Sequence, residues 1–218
     1  MKKYIFFTVF CVIFISCEVN PPTTYTPPVD DGTDPIEIID DLFVPGDEEG
    51  EVIFETNNPQ YWSEYGFTLW YLLEGEEQPF SAREAVVSKL SGNPTAGYGL
   101  VYCFRNDNEY GETFLLVMIN TVREYIVAEA VGSGFHEIIG WTGSEALRAG
   151  YNQNNELRLE YNNATQDFSL YINDQFEANF KDDEAPLHDS GRQGYIVVIS
   201  PLDDFPEIPV KIRYSEFN

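Results

Sequence analysis

From about residue 51 to the end of the chain, apolar and polar residues alternate in short runs separated by turn-forming residues. Leu157, Leu159 and Tyr161 alternate with Arg158 and Glu160, Phe168, Leu170 and Ile172 with Ser169 and Tyr171, and Val210, Ile212 and Tyr214 with Lys211 and Arg213. A period of two belongs to a strand with one buried face. Val52–Glu55, Phe67–Leu73, Tyr125–Ala130 and Tyr195–Ser200 read as further strands. The stretch Gly97–Arg105 predicts a strand with Leu100, Tyr102 and Phe104 on one face and Val101, Cys103 and Arg105 on the other, running into the polar turn Asn106-Asp107-Asn108. Phe114–Ile119 is apolar at every position, which predicts a central strand covered on both sides. Asn173-Asp174 joins two strands as a tight hairpin, since both residue types tolerate positive φ. No run carries a strong amphipathic-helix period, so the expected fold is all-β, with ten or more strands in a two-sheet sandwich.

The first 50 residues follow other rules. Lys2 and Lys3 precede a twelve-residue apolar run, Tyr4–Ile15, shorter than the ~20 residues of a transmembrane helix. This is the layout of a secretory signal. It ends in Phe14-Ile15-Ser16-Cys17, which resembles a bacterial lipobox with Phe14 where Leu is usual. The resemblance implies removal of residues 1–16 and acylation of Cys17, with the lipid bilayer as partner and the bacterial cell envelope as address. Residues 17–50 read as a tether. Pro21, Pro22, Pro27, Pro28, Pro35 and Pro45 stiffen it, many Asp and Glu make it self-repelling, and no Lys or Arg occurs from Glu18 to Ala82. Ile36, Ile38, Ile39, Leu42 and Phe43 interrupt the tether and are expected to dock on the domain as a short element.

Charge and cysteines narrow the classes. With 37 acidic and 12 basic residues the formal net charge is −25, which repels nucleic-acid phosphates and anionic lipid headgroups. The cysteines are Cys11, Cys17 and Cys103. Cys11 leaves with the signal and Cys17 carries lipid, so the exported domain holds no disulfide, and Cys103 reads as a buried small apolar residue.

The run Gly97–Asn108, the strand Phe114–Ile119, the stretch Asn155-Glu156-Leu157-Arg158-Leu159, the hairpin Leu170–Gln175 and the closing strand together resemble a concanavalin A-like lectin/glucanase domain, LamG-like in flavour, over residues 51–218. Asp174 stands where many members have Gly. The resemblance implies a jelly-roll sandwich of two antiparallel sheets and, as the usual role, binding of a glycan or a protein surface. The glucanases of that superfamily carry two or three acidic residues spaced along one strand, one as nucleophile and one as acid. The nearest stretch here, Asp107 to Glu112, has the wrong order and lies in a turn. The chain is therefore read as a non-catalytic, membrane-anchored lectin-like lipoprotein. The alternatives are a glycoside hydrolase with an unorthodox acid pair and a structural envelope lipoprotein without a specific ligand.

Candidate residues follow. Trp62, Tyr110 and Trp141, flanked by polar or turn residues, are the rings that could stack on a sugar. No cofactor is expected. Calcium is the one ion admitted, through the hard oxygen ligands of Asp107 and Glu109, with a second acidic cluster at Asp182, Asp183 and Glu184. His136 and His188 have no partner at ligand spacing, so no histidine metal site or hydrolytic triad is expected.

Overall fold

A computed structural model describes residues 42–56, 67–132, 134–182, 188–200 and 209–218, together with the backbone of residues 13–17. Among the described residues there is no helix, and two sheets face one another. In the first sheet β1 (Ile13–Cys17), β4 (Phe67–Leu72), β14 (Ser190–Ile199), β7 (Tyr98–Asp107), β8 (Gly111–Ile119), β9 (Glu124–Val131) and β10 (Gly134–Gly143) lie side by side in that order. β5 (Gln78–Pro79) pairs with the start of β14. The second sheet runs β13 (Gln175–Lys181), β12 (Asp167–Ile172), β11 (Asn155–Asn162), β6 (Ala82–Ser91), β15 (Val210–Tyr214), β3 (Val52–Thr56) and β2 (Phe43–Pro45). Neighbours are antiparallel except β1, which pairs in parallel with β4. Leu42 and Phe43 pack against the core, so the last residues of the acidic segment belong to the sheet. Residues 18–41, with Ile36, Ile38 and Ile39, lie outside the described residues.

Alternation builds the core. Leu157 and Leu159 of β11, Phe168, Leu170 and Ile172 of β12, and Val210, Ile212 and Tyr214 of β15 all face inward. They meet Leu115, Val117 and Ile119 of β8 and Tyr195, Val197 and Ile199 of β14. β8 is buried on its other face as well, through Phe114, Leu116 and Met118, as its unbroken apolar run predicts. Asn173 and Asp174 both adopt positive φ, at 50° and 64°, and close the expected hairpin between β12 and β13. Polar side chains tie the connection between β10 and β11 to the β12–β13 hairpin. Asn155 accepts from the Arg148 backbone N–H at 2.9 Å and from the Asn173 amide at 2.9 Å, and it donates to the Arg148 carbonyl. Leu147 is buried beneath that loop.

One expected face is corrected. Leu100 and Tyr102 point into the core, but Cys103 joins them there, and Phe104 turns to the outer side with Val101. The cause is a bulge: Cys103 has φ of 57°, and the β7–β8 pairing shifts between Tyr102 and Arg105. An extra residue in one strand flips every side chain beyond it. Cys103 is fully buried, and that burial pushes its thiol far up from its ordinary range.

Two phenols tie the sheets together, Tyr195 of β14 donating to the Ser215 carbonyl at 2.9 Å and Tyr214 crossing the other way. The Tyr214 hydroxyl, on β15, donates to the Ile196 carbonyl on β14 at 2.8 Å, and its ring stacks on Tyr195 with centroids 4.6 Å apart. Tyr214→Phe keeps the ring and removes the donor. It is expected to lower stability by about 1–2 kcal/mol, read as a shift of the urea midpoint at unchanged slope.

Candidate functional site

The first sheet has a second face, turned away from the core between the sheets. On its central strands the outward positions are apolar: Trp70 on β4, Val101 and Phe104 on β7, Phe114, Leu116 and Met118 on β8, Ile126 and Ala128 on β9, and Ile196 on β14. Every one of these is buried. Arg192 places its guanidinium over the Phe104 ring at 5.3 Å. The alternation that could set two carboxylates side by side carries hydrocarbon on these strands instead.

Trp141 lies at the border of this face on β10 and is 41% exposed, with Val122 exposed in the turn before β9. Gly97 makes room for the indole. A Cβ added there would stand 3.2 Å from the Trp141 ring and 3.1 Å from the Met118 sulfur. The ring is thus held by a strand on one side and a close backbone on the other, with a face left to solvent.

Tyr110 occupies the opposite end of β8, in the turn from β7. Its N–H and that of Glu109 both donate to the Asp107 carboxylate, at 3.1 and 2.8 Å. Those two donors hold the Asp107 carboxyl below the usual carboxylate range. β8 spans nine residues, Gly111–Ile119, and at ~3.4 Å per residue that separates the two ends by roughly 27 Å. Tyr110 and Trp141 therefore do not share one compact site. Asp107 and Glu109 are parts of the same turn as Tyr110. Trp62 lies outside the described residues, as do Asp183 and Glu184. The backbone of Cys17 closes β1 opposite Tyr71.

The outer face of the second sheet is acidic and solvated. Arg158 pairs with Glu160, with Glu84 at 3.6 Å and with Asp174 at 3.8 Å, and stacks over Tyr171 at 4.1 Å. Partial desolvation, then Glu84 and Asp174, hold the Glu156 carboxyl above its ordinary value.

A third arrangement is buried, and linear spacing does not reveal it. Glu129 faces the core from β9, on the same side as Tyr125 and Val127, and is 6% exposed. Asp182 follows β13 and His188 precedes β14, at 6% and 1% exposure. The His188 ring meets the Asp182 carboxylate at 2.7 Å and the Glu129 carboxylate at 3.9 Å. The Asp182 carboxylate also accepts the His188 backbone N–H at 2.8 Å. His188 thus has partners at ligand distance in space that its sequence neighbours do not supply, and the three residues form a group able to hold a metal ion. One signal was legible: a lone carboxylate, Glu129, on the apolar face of the strand Tyr125–Ala130.

No known family's sequence profile matches the chain, and no curated protein matches it. Solved structures do. A glycosidic hydrolase in its native form aligns with a TM-score of 0.55 at 11% identity, over 79% of this chain and 78% of that one. The carbohydrate-binding module CBM66 from Bacillus subtilis aligns at 0.52 and 10%, over 80% and 88%. A Bacteroides ovatus GH16 protein of the mixed-linkage glucan PUL, solved in complex with a G4G4G3G product, aligns at 0.52 and 6%, over 81% and 85%. At such identities the likeness is one of architecture, and it agrees with the two facing antiparallel sheets: the chain has the concanavalin A-like lectin/glucanase jelly-roll fold.

Proposed function

We propose that this chain is a lipid-anchored lipoprotein of the bacterial cell envelope whose jelly-roll domain binds glycan without cleaving it. The observation that carries the binding reading is Trp141, a large ring 41% exposed on a strand and seated against Gly97 and Met118. A flat apolar face held rigid at a sheet border suits the C–H face of a pyranose ring, and ordering it on binding costs little side-chain entropy. A carbohydrate-binding module and glycan-directed enzymes among the proteins of like architecture support the same class of ligand. The non-catalytic reading is supported by the hydrocarbon on the outer face of the central strands. The anchor reading is supported by the apolar run ending in Cys17 and the acidic, Pro-rich segment after it; under it β1, all but Cys17 of which precedes the cleavage point, belongs to the unprocessed chain alone.

The test is a glycan-array assay of the full chain in detergent, run with calcium and with a chelator, followed by titration of the selected glycan. Selective binding to one glycan class is expected. Trp141→Ala is expected to weaken it at least tenfold, about 1.4 kcal/mol, while leaving the urea midpoint of an exposed position nearly unchanged. Undiminished binding by that variant would remove Trp141 from the site. An empty array would replace the glycan by an extracellular protein ligand or by a structural role.

A further inference from the structure

We propose that Glu129, Asp182 and His188 form an interior binding site for a divalent transition-metal ion, with zinc as its occupant, which joins the two sheets at the end of the sandwich opposite Trp141. Placement comes first. Glu129 belongs to β9 of the first sheet, Asp182 directly follows β13 of the second, and His188 lies two residues before the start of β14 of the first. An ion bound by all three would fasten β9 to the connection between the sheets. This stands independently of the glycan reading, because Trp141 and the cluster lie at different ends of the first sheet. Glu129 lies in the second half of β9, whereas the β10 residue beside Trp141, Thr142, pairs with Tyr125 near the start of β9.

Geometry comes second. The three donor atoms all lie within 4.8 Å of one another, and the imidazole nitrogen stands 2.7 and 3.9 Å from the two carboxylate oxygens. Donors bound to one zinc ion at about 2.0–2.2 Å stand about 3.4 Å apart in a tetrahedron, between the two spacings seen here. The arrangement is held in advance, since the Asp182 carboxylate that meets the imidazole also accepts the His188 main-chain N–H. Prior orientation of a ligand by such a contact is a regular feature of metal centres.

The chemistry of the donors comes third. One imidazole with two carboxylates is a borderline set that suits zinc better than calcium, whose shell is oxygen alone. Burial adds to this. The His188 side chain is 0% exposed and those of Glu129 and Asp182 are 8% and 4% exposed, and carboxylates taken that far out of water are paired or coordinate a metal. With zinc in place the imidazole is a neutral ligand, and the ion's two positive charges balance the two buried carboxylates.

The experiment uses the full chain purified in detergent and stripped with chelator, and zinc chloride alone as the probe. About one zinc per chain is expected to survive gel filtration, as for a site made wholly of protein ligands. The melting temperature should rise on zinc addition and fall back on chelation. Cobalt(II) in place of zinc should give the intense visible bands of a low-coordinate site with a nitrogen donor. Glu129→Gln and His188→Gln keep nearly the native volume, and each is expected to reduce retained zinc to below about a tenth of an ion per chain. Far-ultraviolet circular dichroism of the variants separates lost binding from lost fold. Wild-type protein that retains no zinc overturns the proposal. So does zinc held equally by folded Glu129→Gln or His188→Gln, or a preference for calcium over zinc. Should both Gln variants fail to fold, the zinc content of the wild type and its cobalt spectrum still decide the matter.

Discussion

Gly191→Ala is expected to destabilise the sandwich by about 3–5 kcal/mol, a large part of the 5–15 kcal/mol that holds a typical domain folded. Two effects add at this position. Gly191 has φ of 149°, a backbone shape that side chains resist. Its missing Cβ would also stand 2.3 Å from the Cys103 carbonyl carbon and 2.6 Å from the Cys103 Cα. Those are main-chain atoms of a bulge, which cannot swing aside as a side chain can. Gly150 supplies the control. Its φ is also positive, at 93°, but nothing lies within 4 Å of an added Cβ, so Gly150→Ala should cost only the conformational part, about 1 kcal/mol. Urea unfolding of the two variants beside the wild type measures the difference. Equal midpoints for Gly191→Ala and Gly150→Ala would show that the contact with Cys103 carries no energy.

Cys17→Ala is expected to abolish acylation and, with it, partition of the mature protein into the detergent phase. Each buried methylene contributes ~0.8 kcal/mol, so the two or three acyl chains proposed for Cys17 would hold the protein to a bilayer essentially permanently. Nothing else in the chain from Cys17 onward offers an electrostatic substitute: the segment after Cys17 is acidic, and no Lys or Arg occurs from Glu18 to Ala82. Mass spectrometry of the mature N-terminal peptide gives the direct reading. A peptide that begins at Cys17 and carries the mass of a diacylglyceryl group is the expected wild-type result. A mature N-terminus elsewhere, or undiminished detergent partition by Cys17→Ala, would contradict the lipobox reading.

Much of the architecture was legible because it is written in local alternation. β11, β12 and β15 show their buried faces residue by residue, and β8 shows both of its faces. β6 was not legible, and Lys89 is one reason. It occupies an inward position in step with Ala85 and Val87, wholly buried, with its ammonium donating to the Ala96 carbonyl at 3.1 Å and lying 5.7 Å from the centre of the Tyr98 ring. A charge at a core position breaks the pattern from which strands are read, and only the fold supplies its partners. The bulge at Cys103 was hidden for a similar reason. Nothing in Tyr102-Cys103-Phe104 marks an extra residue, since the glycine that makes room for it, Gly191, lies in the neighbouring β14. The Glu129–Asp182–His188 group needed both the register of β9 and the course of the chain from β13 to β14, neither of which spacing along the sequence encodes.

The strand order also bears on how the chain comes to be folded. β14 lies between β4 and β7 in the first sheet, and β15 lies between β6 and β3 in the second. The last two of the described strands are therefore interior members, one in each sheet. Until both have emerged, each sheet has a gap where a central partner belongs, and Tyr214 has not reached Ile196 to join them. Such a topology, built from distant partners, closes late and slowly. Under the export proposed above, this order suits a chain threaded unfolded across a membrane: with β14 and β15 still to arrive, neither sheet has a finished half that could jam the passage.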